Sequence, residues 1–111
     1  MLHKLTGDEL AGLEQDAAAV VLMWQPTCGP CTTAKHVITT LSKEYPEVKC
    51  YMCNSRESRG VKAHFGTKGT PTFLFLQHGK EMVALRITGV KPMATFHNAI
   101  KAITEDESGH E

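Results

Sequence analysis

The chain has 111 residues, 41% of them hydrophobic and 22% charged, which is the composition of one globular domain able to bury a core without staples. Twelve basic and twelve acidic side chains cancel. That balance excludes a global field drawing the protein onto nucleic acid or an anionic membrane, so recognition has to be local.

The N-terminal MLHKLTGDEL lacks the apolar centre and cleavage site of a secretory signal, and no apolar run has the length to cross a bilayer. A cytoplasmic address is expected. In that reducing compartment paired cysteines serve catalysis or metal binding more often than they staple a fold.

Residues 2 to 5, LHKL, suit a short edge strand. Thr6 and Glu9 form a capping box that opens a helix to about Asp16, with Leu10 and Leu13 facing inward. The apolar run Ala18 to Trp24 reads as a strand covered on both faces, ended by Pro26. From Cys31 the residues Ala34, Val37, Ile38, Leu41 and Tyr45 repeat at helical spacing until Pro46. EVKCYMCN is a second buried strand, and SRESRGVKAHFG a weaker helix closed by Gly66. Two strands around His78-Gly79 form an antiparallel hairpin. Pro92 starts a last helix carrying Met93, Phe96, Ile100 and Ile103.

The order βαβαβαββα implies an α/β fold with a central mixed sheet flanked by helices. Residues 1–104 are expected to form a single domain and 105–111, EDESGHE, a frayed acidic tail.

Four cysteines, at Cys28, Cys31, Cys50 and Cys53, leave two chemistries open, because C-x2-C, a gap of 18 residues and a second C-x2-C also fit a zinc spacing. Cys28 precedes a helix and Cys31 sits in its first turn. There the free backbone N–H groups and the positive end of the helix dipole favour a thiolate, lowering its pKa from about 8.5 to roughly 3.5–7.5. Cys28 is then the attacking thiol. Gly29 lets a partner backbone come close, Pro30 is tolerated where its missing N–H costs nothing, and Cys31 resolves the mixed disulfide.

On CGPC at Cys28 to Cys31, TPTF at Thr70 to Phe73, Gly79 and Gly89, the chain resembles a thioredoxin from about Leu2 to Ile103. The resemblance implies the thioredoxin fold and a thiol-disulfide oxidoreductase that reduces protein disulfides, with electrons from a thioredoxin reductase. It also implies a cis bond between Thr70 and Pro71, and a substrate groove of Gly29, Pro30, Thr70, Pro71 and Gly89, flanked by Thr27. A monomer without cofactor or metal is expected.

Several positions depart from the family pattern. Thr27 stands where a tryptophan usually precedes the first cysteine, although Trp24 matches a second tryptophan. Leu22 falls where thioredoxins bury an aspartate thought to move protons at the deeper cysteine, and Met52 where many carry its charged neighbour. An apolar pair thus replaces a polar one, and slower, more pH-dependent resolution by Cys31 is expected. The hairpin before Gly89 is two residues longer than usual; an even insertion would keep side-chain facing, and a bulge is the competing explanation.

Cys50 and Cys53, at i and i+3 of a strand, point to opposite faces and read as structural thiols, with a regulatory thiol or zinc as alternatives. His3, His36, His64, His78, His97 and His110 lack metal spacing. His36 lies where relatives often have a kinking proline, so a straighter helix is expected. The lysines and arginines form no stripe. Two other readings compete with the reductase: a docking module or redox-sensing partner with weak activity, and a glutaredoxin, for which no basic glutathione site is evident.

Overall fold

The computed structural model describes residues 2–105; the tail beyond Glu105, with its expected fraying and His110, lies outside the described residues. Strands β1 (Leu2–Lys4), β2 (Ala19–Trp24), β3 (Lys49–Asn54), β4 (Thr72–Gln77), β5 (Lys80–Glu81) and β6 (Ile87–Thr88) form one mixed sheet. Its order is β1-β3-β2-β4, with β5 and β6 both pairing β4. The first three run parallel and β4 is antiparallel to β2. Helices α1 (Cys31–Glu44), α2 (Arg59–Phe65) and α3 (Met93–Thr104) and two 3₁₀ segments, Gly7–Gln15 and Val83–Leu85, complete the described fold.

Side-chain alternation splits the interior in two. Val20 and Leu22 of β2 enter one core with Ala34, Ile38 and Leu41 of α1 and Phe96 and Ile100 of α3. Their neighbours Val21 and Met23 enter the other, with Leu13, Val61 and Phe65. Helical structure on both faces is why the β2 sequence is apolar without interruption. Phe73 and Phe96 meet edge to face at 4.6 Å between ring centres, tying α3 to the sheet.

The Thr6–Glu9 box forms: the Thr6 N–H donates to Glu9 Oε1 at 2.7 Å and the Thr6 hydroxyl donates to the same oxygen. The Thr6 hydroxyl, then its N–H, hold the Glu9 carboxyl below the ordinary carboxylate range. Yet Gly7–Gln15 winds as a 3₁₀ helix and not as the expected α-helix. Gly7 and Gly12 weaken α-helical propensity, and Leu13 is the one fully buried anchor of the segment.

Downstream, α1 runs unbroken through His36, and α2 ends on Gly66 at φ +64°. There the Thr67 N–H reaches the Lys62 carbonyl and the Gly66 N–H reaches that of Ala63, a Schellman closure. His78 and Gly79, at φ 49° and 81°, make the two-residue turn of a type I′ hairpin.

The returning strand is interrupted. Gln77 faces Lys80 and Phe73 faces Ile87, so four steps along β4 match seven on the return and three residues are extra. They coil as a 3₁₀ turn, Val83–Leu85, which splits the strand into β5 and β6. The return strand thus carries a bulge and not a continuous ladder. Arg86 closes it, donating to both carboxylate oxygens of Glu81 at 2.8 and 2.6 Å and to the Phe65 carbonyl at 2.7 Å.

Candidate active site

Sheet register brings four loops to one end of the molecule. Trp24 at the end of β2 pairs with Asn54 at the end of β3, Met23 pairs with Thr72 at the start of β4, and Thr72 pairs with Thr88 at the end of β6. The segments after β2, β3 and β6 and the one before β4 therefore share that end. Thr27 to Cys31, Thr70-Pro71 and Gly89 are among them.

Cys28 and Cys31 form a disulfide with Cα atoms 5.3 Å apart. The Cys31 N–H donates to the Cys28 carbonyl at 3.2 Å, and Pro30 stands at the helix cap with φ −69°, the angle its ring imposes. Cys31, the first residue of α1, is 2% exposed, whereas Cys28 is half-buried and Gly29, Pro30 and Thr27 are exposed. An incoming molecule meets the outer sulfur first.

The Thr70–Pro71 bond is cis. Pro71 is buried, Thr70 and Gly89 are half-buried, and the Gly89 N–H donates to the Pro71 carbonyl at 2.8 Å, joining these two segments directly. The absence of a side chain at Gly89 serves its φ of +83° and not a shortage of space.

Leu22 and Met52 are partners in the β2–β3 register, in the core shared with α1 and α3. Leu22 is fully buried; half-buried Met52 lines, with Trp24, Leu2, Asn54 and Glu57, a cavity of about 480 Å³. The Lys35 ammonium lies 3.5 Å from the Trp24 ring centre, a cation–π contact worth about 0.5–1 kcal/mol near a surface.

Cys50 and Cys53 are buried in opposite cores. Burial pushes the Cys50 thiol up to about 11 and also raises that of Cys53. Among the described residues no group of three His, Cys, Asp or Glu side chains lies close enough to hold a metal ion.

Sequence reasoning missed the loop between β3 and α2. Asn54 Oδ1 accepts the Arg56 N–H at 3.0 Å and the Glu57 N–H at 3.3 Å, while the Ser55 N–H and hydroxyl donate to the Trp24 carbonyl at 2.8 and 3.1 Å. The Arg56 guanidinium then donates to Thr27 Oγ1 at 3.0 Å. An Asn-Ser pair after a strand signals such a turn. No spacing rule links Arg56 to Thr27.

A mixed sheet, a cysteine pair at the start of a helix and a cis-proline at the same end define a thioredoxin-fold protein with a closed dithiol ring. The family model described as Thioredoxin matches residues 7–102. The chain belongs to the thioredoxin family. It is 33% identical over 95 residues to the chloroplastic M-type thioredoxin of Pisum sativum, a match covering 85% of this chain and 54% of that one. The chain spans about half the length of the first curated relatives it matches. Among solved structures, a mutant thioredoxin from Halobacterium salinarum superposes with a TM-score of 0.85 at 19% identity, over 95% of this chain and 92% of that one. Thioredoxin f2 of Chlamydomonas reinhardtii gives 0.81 at 26% identity, over 94% and 97%.

Proposed function

We propose that the chain is a thiol-disulfide oxidoreductase that reduces protein disulfides through Cys28 and Cys31. The observation that carries this reading is the ring itself: two sulfurs in one covalent bond at the start of α1, the outer half-exposed and the inner buried. Membership of the thioredoxin family supports it.

In the reduced protein the Cys28 thiolate attacks one sulfur of the substrate disulfide. A Cys28–substrate bond forms, the substrate S–S bond breaks, and the departing thiolate takes a proton. Cys31 then loses its proton and attacks Cys28 Sγ; the mixed disulfide breaks, the second substrate thiol leaves, and the Cys28–Cys31 bond remains. Two electrons pass from the dithiol to the substrate. A fresh cycle needs a two-electron donor, for which a thioredoxin reductase fits the family.

With Leu22 fully buried and apolar, no carboxylate from that position can take the Cys31 proton. Water, the substrate or the departing thiolate is its acceptor. Gly29, Pro30, Thr70, Pro71 and Gly89 hold the extended substrate backbone at the shared end, with Thr27 at their margin; Leu22, Trp24 and Met52 tune the site from behind. The exposed large apolar side chains among the described residues are Met82, Val83 and Val90, in keeping with a monomer. A cytoplasmic address remains part of this proposal, while the pea relative carries a chloroplastic name.

Insulin-disulfide reduction by dithiothreitol tests the reading. The chain should accelerate it, Cys28→Ser should abolish the acceleration, and Cys31→Ser should trap a mixed disulfide. Iodoacetamide should alkylate reduced Cys28 at neutral pH faster than a free thiol; an equal rate, or an active Cys28→Ser protein, overturns the assignment. The docking-module alternative needs neither thiol and predicts little or no acceleration even by the wild-type chain.

A further inference from the structure

Beside the ring lies a groove of about 450 Å³ lined by Gln25, Ser55, Arg56, Arg59, Lys62 and Thr67, among others. Three of its lining residues are cations and none is a carboxylate. The ion pairs formed among the described residues join Lys49 to Asp16, Arg86 to Glu81 and His97 to Glu44, so none of these three cations is neutralised by one. In a chain with a formal net charge of zero, this is a local concentration of positive charge. All three belong to one short segment, Arg56 to Lys62, which runs from the loop after β3 into α2.

The groove is built, not incidental. Asn54 and Ser55 pin the segment after β3 against the end of β2, which fixes where Arg56 leaves the backbone. Arg59 and Lys62 stand three apart on α2 and therefore share one helix face. All three cationic residues are exposed. Arg56 reaches Thr27, the residue bonded to Cys28, and spends one N–H on its hydroxyl; a guanidinium carries five, which leaves donors for a carboxylate.

We propose that this groove is a specificity subsite receiving an acidic segment of the substrate protein, so that disulfides flanked by Asp or Glu are presented to Cys28 in preference to others. This rests on the exchange reaction proposed above. Carboxylates seated on Arg56, Arg59 and Lys62 would hold the neighbouring disulfide near the outer sulfur. Opposite charges across such a contact act chiefly on encounter rate and are screened by salt.

Two synthetic peptides, each closed by one disulfide and flanked by either three Glu or three Gln, test the subsite. At low salt the reduced chain should attack the Glu peptide roughly tenfold faster than the Gln peptide, and the ratio should fall toward one near about 0.5 M salt. Combining Arg56→Gln, Arg59→Gln and Lys62→Gln should bring the ratio to one at low salt; Arg56→Lys with Arg59→Lys should retain it. A ratio near one in the wild type, or a preference surviving the triple substitution, overturns the subsite. In a second arm, anisotropy of a labelled cysteine-free Glu-rich peptide should report salt-sensitive binding to the oxidised chain, lost in the triple variant. Binding without reduction of either peptide would sink the exchange reading and keep the groove. Equal reduction of both without binding would do the reverse.

Discussion

Leu22 and Met52 sit directly opposite each other across the parallel β2–β3 pair, an apolar couple beneath the dithiol end of the sheet. A carboxylate introduced at Leu22 would be stripped of water with nothing to pair it, whereas a lysine at half-buried Met52 would supply a cation from the facing strand and still reach solvent. Leu22→Asp should cost about 3 kcal/mol or more, and adding Met52→Lys should recover at least about 1 kcal/mol of the summed losses. Urea unfolding of the four proteins closes the cycle; strict additivity would show that the two positions are not an electrostatic unit. Leu22→Asp should also change how fast the mixed disulfide resolves between about pH 6 and 9, and an unaltered profile counts against a proton-transfer role there.

Cys50 sets an alkaline limit on stability. Its thiol is fully buried, and burial raises its pKa to about 11, above the roughly 8.5 of an unfolded chain. A raised folded pKa means the stabilisation is complete below the unfolded value and is lost as pH climbs through the folded one. Tyr51 moves the same way, first through burial and then through its hydrogen bond to Asp16. Stability should therefore fall between about pH 8.5 and 11, by up to about 3 kcal/mol for Cys50 alone. Cys50→Val should shallow that limb in urea titrations, and an identical limb in the variant would sink the attribution.

The strands and helices that position the site were legible because their signals are local. Both-face burial of β2, the helical repeat after Cys31 and the His78-Gly79 turn each sit within a few residues of sequence, and the CGPC and TPTF motifs carried the family. What escaped reading depends on partners far along the chain or on weak backbone preference. Gly7 and Gly12 tip the first helix to 3₁₀, and the added length before Gly89 read as two residues, while its coiling into a 3₁₀ turn that Arg86 closes on Glu81 did not show in the sequence. Arg56 meets Thr27 across 29 positions, a distance no periodicity spans.

Gly79 and Gly66 separate two costs that both come with a positive φ. A Cβ at Gly66 would enter open space, so Gly66→Ala should lose only the left-handed backbone penalty, about 1 kcal/mol. At Gly79 the same atom would stand 3.0 Å from the Glu14 amide nitrogen and 3.2 Å from its Cα, backbone that cannot swing aside. Gly79→Ala should cost about 1–3 kcal/mol more, through displacement of the first 3₁₀ helix from the hairpin. Comparable melting losses for the two variants would show that the hairpin shifts freely and that the close approach is unimportant.

Arg86 and Glu81 bracket the bulge, and their two-pronged pairing differs in kind from the single 3.7 Å contact of half-exposed Lys49 with Asp16. Glu81 is 8% and Arg86 24% exposed along their side chains, the guanidinium grips both carboxylate oxygens, and its remaining reach is to the last carbonyl of α2. The hydrogen bond to Glu81 raises the Arg86 pKa further, so the charge persists through the alkaline range and this pair takes no part in the limb assigned to Cys50. Truncation by Arg86→Met strands a nearly buried carboxylate and leaves the Phe65 carbonyl without that donor. Allowing for the partial exposure of the arginine, the loss should be about 2 kcal/mol, with little dependence on salt. Hydrogen exchange should locate it: the Met82 amide, bonded to the Phe75 carbonyl at 2.8 Å beside the bulge, should lose protection, while amides between β2 and β3 keep theirs unless the whole fold opens. A cost below about 0.5 kcal/mol, or one that disappears in high salt, would place the pair among ordinary surface contacts and leave the bulge held by backbone alone.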